Sequence, residues 1–407
     1  MEILPILATL RRHKITAALL ILQIALTCAI VCNAVFLITQ RLQRMDMPSG
    51  IAERELLHLE LADIGRAADE KARTAEDLAS LRQVPGVTEV ASVNQVPFGG
   101  SSNNAGIKLD PQQKQPTLNM TTYFGENLIQ TFGLQLVAGR LLQPEDYRDY
   151  DAVVRAAKAG DLKQLPSTIV ITQALAERLW PGQNPLGQQI YLGSDVPLRV
   201  VGVVKGLVRP SIWDDSMAQY SGILPVRVFN SQFAIRTAPG DREHVLQAAI
   251  AALKKTDPHR VVINKHLMSD MRRDFFREDR AMAVLLGGVC VALLVVTALG
   301  IVGLGSFWVA QRRRQIGVRR ALGATRSNIL HYFQTENFLL ATLGIALGMA
   351  LAYGINLFLM SHYELPRLPA IYLPVGAIAL WLIGQAAVLG PALRAAAVPP
   401  VVATRSV

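Results

Sequence analysis

Gln311-Arg312-Arg313-Arg314-Gln315-Ile316-Gly317-Val318-Arg319-Arg320-Ala321-Leu322-Gly323-Ala324-Thr325-Arg326 is the stretch whose reading decides the fold. A long uncharged apolar run ends just before it and another begins soon after it. Six arginines in so short a connection mark the side of a bilayer on which a loop stays. Val318, Leu322, Thr325, Ile329 and Phe333 recur at near-helical spacing, which predicts an amphipathic helix at the membrane surface.

Working outward, four segments are long and apolar enough to span: 15–38, 282–310, 338–360 and 371–393. A hydrocarbon core of ~30 Å needs about 20 residues of helix. The first run exceeds the h-region of a signal peptide and is read as a retained anchor. Arg11, Arg12 and Lys14 precede the first span, and Arg394 and Arg405 follow the fourth, whereas the loop between spans three and four holds only Arg367, beside Glu364. Both termini and the arginine loop are therefore expected in the cytoplasm, with residues 41–280 outside.

The composition agrees. Of 407 residues, 51% are apolar and 18% charged, and Lys+Arg exceed Asp+Glu by 41 to 31. That basic excess lies beside apolar runs, which argues for membrane topology over nucleic-acid binding. Cys28, Cys32 and Cys290 all fall in spans, so no disulfide is expected outside. Cys28 and Cys32 share one helical face and read as small packing residues rather than metal ligands.

The outer segment is expected to fold as two α+β lobes. Leu56-Leu57-His58-Leu59-Glu60-Leu61 alternates as a strand, 75–83 reads as a helix, and 87–96 alternates again. Residues 99–116, rich in Gly, Ser, Asn, Gln and Pro, read as a boundary or an exposed loop, and 123–132 as helical. A helix is expected over 151–165, a strand over 168–172 and a helix over 173–179. Strands follow at 189–192 and 198–205, around a Gly-Ser-Asp turn, and strand character returns over 223–237. An amphipathic helix at 241–255 and a strand at 261–264 complete the segment. One lobe thus comes from both ends, with a second lobe, about 100–220, inserted in it. Residues 268–280 alternate Arg272, Arg273, Arg277 and Arg280 with acids, which predicts a charged helical stalk extending the second span.

Within the membrane, Gly344 and Gly348 have the spacing that lets helices approach closely. Glu336, at the start of the third span, is expected to pair with an arginine of the loop. The chain lacks a Gly-x-x-x-x-Gly-Lys-Ser/Thr phosphate loop, a His-Glu-x-x-His zinc motif and a Gly-x-Ser-x-Gly elbow. Its spans also lack chains of Asp, Glu and His. A non-catalytic protein with no cofactor of its own is the expectation.

Residues 311–326 resemble the cytoplasmic loop of FtsX/MacB-type ABC transporter permeases, which read Gln-Arg-x-Arg-Glu-Ile-Gly-Ile-Arg-x-Ala-Leu-Gly-Ala at this place. Phe132-Gly133-Leu134, Leu136-Val137-Ala138-Gly139-Arg140 and Pro144-Glu145-Asp146 are similar to the family's periplasmic core. So are Ile169-Val170-Ile171-Thr172, Asn184-Pro185-Leu186-Gly187 and Val200-Val201-Gly202-Val203-Val204, and the tail Gly390-Pro391-Ala392-Leu393-Arg394-Ala395 with Pro400 and Ala403 also matches.

The resemblance implies a multi-pass α-helical inner-membrane protein with four transmembrane helices and an α+β two-lobed periplasmic domain between the first two. Its divisions would be 1–40, 41–280 with the stalk at 268–280, and 281–407 with the coupling loop at 311–330. It implies two copies of a separate cytoplasmic ATPase carrying ATP and Mg, a second permease chain, surrounding lipid, and a periplasmic adaptor with an outer-membrane channel. ATP-driven movement would pass to the outer domain by mechanotransmission, for efflux through the duct. Relatives that release lipoproteins or activate a cell-wall hydrolase set the alternatives. Gln315, Ile316, Gly317, Arg319, Arg320, Ala321, Leu322, Gly323, Ala324 and Thr325 would form the ATPase-coupling element. Gln315 stands where the family carries Glu, so any contact made by that carboxylate is missing here.

Overall fold

The computed structural model describes residues 14–63, 69–193, 196–363 and 367–399. Arg11, Arg12, Ser194, Asp195, Glu364, Pro400, Ala403 and Arg405, used above, lie outside them. The chain divides into two compact units, one of residues 1–45 and 278–407 and one of residues 46–277.

Among the described residues, the first unit holds four helices long and apolar enough to cross a membrane. Span 1 is Lys14–Met45, span 2 Arg277–Gln311, span 3 Arg326–Tyr363 and span 4 Tyr372–Ala396. Spans 1 to 3 outrun their apolar runs by several residues, whereas span 4 matches its own to within about three. Leu20, Ile24, Cys28 and Cys32 of span 1 pack with Leu340, Ile345 and Ala352 of span 3 and with Ala377, Leu380 and Val388 of span 4. Cys28 and Cys32 are buried in that core, with no group of three or more metal-binding side chains among the described residues.

Small residues set the closest approaches. A Cβ on Gly344 would lie 2.8 Å from Ile24 Cβ, and one on Gly348 2.5 Å from Cys28 Cβ and 2.6 Å from the Ala25 carbonyl oxygen. Polar side chains add bonds between helices: Asn33 Nδ2 donates to the Ala352 carbonyl at 3.2 Å, and the Thr27 and Thr297 hydroxyls meet at 2.8 Å. Gly348→Val should destabilise this unit by about 1–3 kcal/mol through overpacking. Gly303→Val should be close to neutral, since a Cβ there meets nothing within 4 Å. Thermal melts of the two variants in one detergent check the difference.

The second unit has two lobes. In the first, strand β1 (Leu56–Asp63), helix α1 (Glu70–Arg82) and strand β2 (Val87–Ser92) form a βαβ half. The chain then makes the inserted lobe: β3 (Asn104–Lys108), β4 (Leu118–Phe124), α2 (Leu128–Phe132), β5 (Leu136–Gly139), β6 (Arg148–Asp149) and α3 (Tyr150–Ala159). After these come β7 (Thr168–Thr172), α4 (Gln173–Leu179), β8 (Gln189–Leu192), β9 (Val196–Val204), β10 (Ser221–Leu224) and β11 (Val226–Arg227). The chain returns with β12 (Gln232–Thr237), α5 (Arg242–Thr256), β13 (Arg260–Leu267) and α6 (Met268–Phe275).

The first lobe's sheet has the order β13-β1-β12-β2, the split βαβ arrangement in which both helices lie on one face. Alternation along β1 explains it. Leu57, Leu59 and Leu61 turn to the helices and pack with Leu81, Val245, Ala249 and Leu253. His58 and Glu60 are left on the opposite face. The inserted lobe orders its strands β5-β9-β7-β10-β4-β3-β8, and β8 returns to pair with the first half of β9, so the sheet closes on itself. Ile107, Met120, Ile169, Ile171, Ile190, Leu198 and Val200 fill its interior.

Three expectations are corrected here. Residues 99–116 are not all loop, because β3 lies among them, paired with β4 and β8. Ile107 is the only buried side chain in β3, so alternation is invisible there. Residues 123–132 are not one helix, because Tyr123 and Phe124 end β4 and only Leu128–Phe132 is helical. Residues 268–280 are not one rigid rod, because α6 stops at Phe275 and Phe276 is non-helical (φ −92°, ψ 15°) before span 2 begins.

Candidate coupling site

The arginine-rich connection folds as a short helix, α7 (Arg313–Ala321), rather than one long amphipathic helix. Gly323 adopts φ +99°, a left-handed conformation that stops the helix, and the Thr325 hydroxyl then caps span 3 by accepting from the Asn328 amide at 3.2 Å. This break reverses the expected face. Ile316 is buried with Val309, Ile329, Phe333, Ala392 and Ala395, and Gly317 is buried too. Val318 is 44% exposed and Leu322 83% exposed. Gln315, Arg319, Ala321, Gly323 and Thr325 are exposed with them, while Arg320 and Ala324 are half-buried. The loop thus presents two aliphatic side chains among arginines, an arrangement suited to a protein surface that is both apolar and acidic. The Arg319 guanidinium lies 5.0 Å from the centre of the Tyr332 ring, tying α7 to span 3.

A buried ion pair braces this turn. Arg312 Nη1 donates to both Glu336 oxygens, at 3.1 and 2.9 Å, with the two side chains 7% and 2% exposed. Arg312 also lies 5.7 Å from the Trp308 ring centre. Glu336 therefore finds its partner at the end of span 2, as the sequence led one to expect of the loop arginines. One residue on, Asn337 Nδ2 donates to the Gly384 carbonyl at 3.0 Å and fixes span 3 to span 4.

The expected stalk arginines divide by role. Arg272 Nη1 donates to Glu53 at 2.5 Å and its Nη2 to the Met47 carbonyl at 2.6 Å, so α6 is tied to the chain just beyond span 1. Among the described residues, Arg273 makes only an exposed pair with Asp270, at 3.2 Å. Arg277 and Arg280 make no ion pair among the described residues. In the membrane unit the equivalent tie is made by Asp279, which pairs with Arg41 and, at 3.7 Å, with Arg44. The sequence reading paired Asp279 only with arginines of its own helix and passed over Glu53, Arg41 and Arg44 as pairing partners. An acid at the mouth of one span and basic residues at the mouth of the other was the available signal.

Beside α6, Phe98 holds φ +63°, costly for a bulky residue, and it packs on Phe275 and Phe276 with ring centres 5.4 and 5.8 Å away. Next to it His58 is buried, and burial pushes its imidazole down to about 4, with Glu60 pulling the other way and His266 adding to the fall. An unfolded histidine takes its proton near 6.5. Between those values the unfolded chain binds more protons, so stability should fall as pH drops from 6.5 to 4, by about 3 kcal/mol in all. Above 6.5 the residue contributes no slope. Melts of the chain and of His58→Gln between pH 4 and 7.5 should differ in steepness only in that window.

With the geometry in place, comparisons with known proteins place the chain. A MacB-like periplasmic core domain matches residues 17–253, and an FtsX-like permease C-terminal domain matches residues 287–400. The chain belongs to the MacB/FtsX-like family of ABC transporter permeases. The uncharacterized ABC transporter permease YvrN of Bacillus subtilis is 26% identical over 62% of this permease and 65% of its own length. The macrolide export ATP-binding/permease protein MacB of Chromobacterium violaceum is 29% identical over 57% of this chain and 37% of its own. The pyoverdine export ATP-binding/permease protein PvdT of Pseudomonas putida is 32% identical over 58% and 38%. This permease thus spans less than half of the length of these two ATP-binding/permease relatives. The solved extracellular domain of the YknZ transporter aligns over 51% of this chain and 100% of its own, at 18% identity and a TM-score of 0.31.

Proposed function

We propose that this permease is the membrane half of an ABC export machine whose ATPase is a separate cytoplasmic subunit. The carrying observation is the exposed Val318–Leu322 surface on a helix braced by the buried Arg312–Glu336 pair. Two ATPase copies, holding ATP and Mg, would dock on α7 and the following turn of two paired permeases. Both termini and α7 would then be cytoplasmic, and residues 46–277 periplasmic.

In this reading Val318, Arg319, Ala321 and Leu322 meet the ATPase, with Gln315 at the rim, while Ile316 and Gly317 anchor α7 to its own bundle. Closure of the ATPases would push on α7. Arg312 and Glu336 would carry that push to spans 2 and 3. The ties of Arg272 and Asp279 would keep both chain passages together, so that the outer domain moves as one body and works a periplasmic substrate toward an adaptor and outer-membrane duct. That motion is the mechanotransmission implied by the resemblance. The names of MacB and PvdT, both export proteins, support export as the output.

Leu322→Glu with Ala321→Glu should weaken ATPase capture about thirty-fold, the loss of ~2 kcal/mol expected at an interface hot spot. Both positions are exposed, so folding should be unaffected. The check is a mild-detergent pull-down of the tagged chain, with ATP hydrolysis measured on the eluate. An ATPase recovered equally by the wild type and the double variant would remove α7 as the docking element.

A further inference from the structure

The sheet face opposite the helices of the first lobe carries a cavity of about 260 Å³. Its floor is polar: His58, Glu60, Gln232, Asn264 and His266 come from three adjacent strands. Val96, Phe98 and Met271 give it an apolar side. Three observations mark it as more than a packing gap.

His58 is only 5% exposed, lines the cavity, and neither ring nitrogen has a hydrogen-bond partner among the described residues. Buried polar groups are rarely left so. Phe98 is held at φ +63° where it lines the same space, and strain of this kind gathers at functional sites. Glu60 is the one carboxylate in the lining, and its two oxygens accept from Gln232 Nε2 at 3.2 Å and Asn264 Nδ2 at 2.6 Å. The two amides hold the carboxylate in place, and each oxygen keeps a lone pair for another donor. Neutral His58 offers a further acceptor on its unprotonated nitrogen. Apart from the two histidines, the lining contains no basic side chain.

We propose that this cavity binds a small protonated amine on a short apolar stem. The ammonium group brings three donors and one positive charge. Two donors meet Glu60 and the third meets His58, so the charge and the unpartnered nitrogen are answered by one group. The stem lies against Val96, Phe98 and Met271. The volume of about 260 Å³, just under the usual range for ligand pockets, accepts a small amine with room to spare. Met271 adjoins Arg272, so an occupied cavity bears on the helix that ties the two chain passages. The site stands whether or not the chain exports a substrate.

The test uses the full chain in nanodiscs with ¹³Cε1-histidine, which gives seven ring signals, those of His58 and His266 assigned by His58→Gln and His266→Gln. Propylammonium chloride is titrated, with 1-propanol and sodium propionate as controls of equal length. Saturable shifts of His58 and His266, at least tenfold tighter than for propanol and absent for propionate, are expected. His259, exposed elsewhere, should stay still. Glu60→Gln, which removes the charge, should weaken binding at least tenfold while the remaining histidine signals keep their folded positions. Equal binding of propanol, indifference to Glu60→Gln, or no saturable shift would leave only a water-filled cavity and overturn the proposal. Broadening of both rings by zinc chloride with amines silent would overturn it in favour of a metal site.

Discussion

Replacing Arg312 by alanine should cost the membrane unit about 3–5 kcal/mol, because it leaves the Glu336 carboxylate buried without its guanidinium. The effect is large for a reason of geometry. Both side chains are almost fully covered, and Arg312 grips both carboxylate oxygens. Arg312→Lys should recover only part of the loss, since an ammonium group cannot repeat a planar guanidinium between Glu336 and Trp308. Removing both partners together, as Arg312→Met with Glu336→Leu, should restore most of the stability, since an apolar pair leaves no stranded charge. Melting of the purified permease in one detergent measures this. If ATP turnover with the ATPase proposed above stays low in the double variant while its melting temperature recovers, the pair transmits force as well as holding shape. Recovery of both would make it a structural brace alone.

The second large effect is expected in the outer domain. Arg260, at the start of β13, pairs with Asp77 on α1, and each side chain is 2% exposed. Arg260→Ala should destabilise the domain by about 3–5 kcal/mol. The pair joins the last strand of the lobe to its first helix, across 183 residues of chain that include the whole inserted lobe. Loss of it should therefore be felt first where the two halves of the lobe meet. Hydrogen exchange on the full chain should show faster exchange in α1 and β13 than in the closed sheet of the inserted lobe. Uniformly faster exchange would mean that the two lobes unfold together.

Much of this architecture was legible because it is written in local periodicity. The four spans are uncharged over more than the needed length. The Leu57, Leu59 and Leu61 alternation marks β1, and 173–179 was bounded correctly because a strand of five buried residues precedes it and Trp180-Pro181-Gly182 ends it. What escaped depends on contacts distant in sequence. The end of β4, Tyr123-Phe124, reads as part of a helix over 123–132, and the polar Thr121 and Thr122 before it, buried inside the closed sheet, hide the strand. The face of α7 was misread because Gly323 was not recognised as a left-handed stop, and without that stop Val318 and Ile329 seem to share a stripe. The Asp279–Arg41 tie joins residues 238 apart, and no spacing rule reaches that far. Gly344 and Gly348 had a visible motif, but which helix they would meet did not follow from it. The His58 cavity exists only because Phe98 and Met271 come over a strand whose other face forms the core.

The Arg272 contacts with Glu53 and Met47 have one more consequence. They place the beginning and the end of the outer domain side by side. A module whose two ends adjoin can be lifted from its host and replaced by a short bridge, or traded for another with the same spacing, without rethreading the rest of the chain. The membrane bundle is then a socket, and what it carries can be changed by exchanging a cassette.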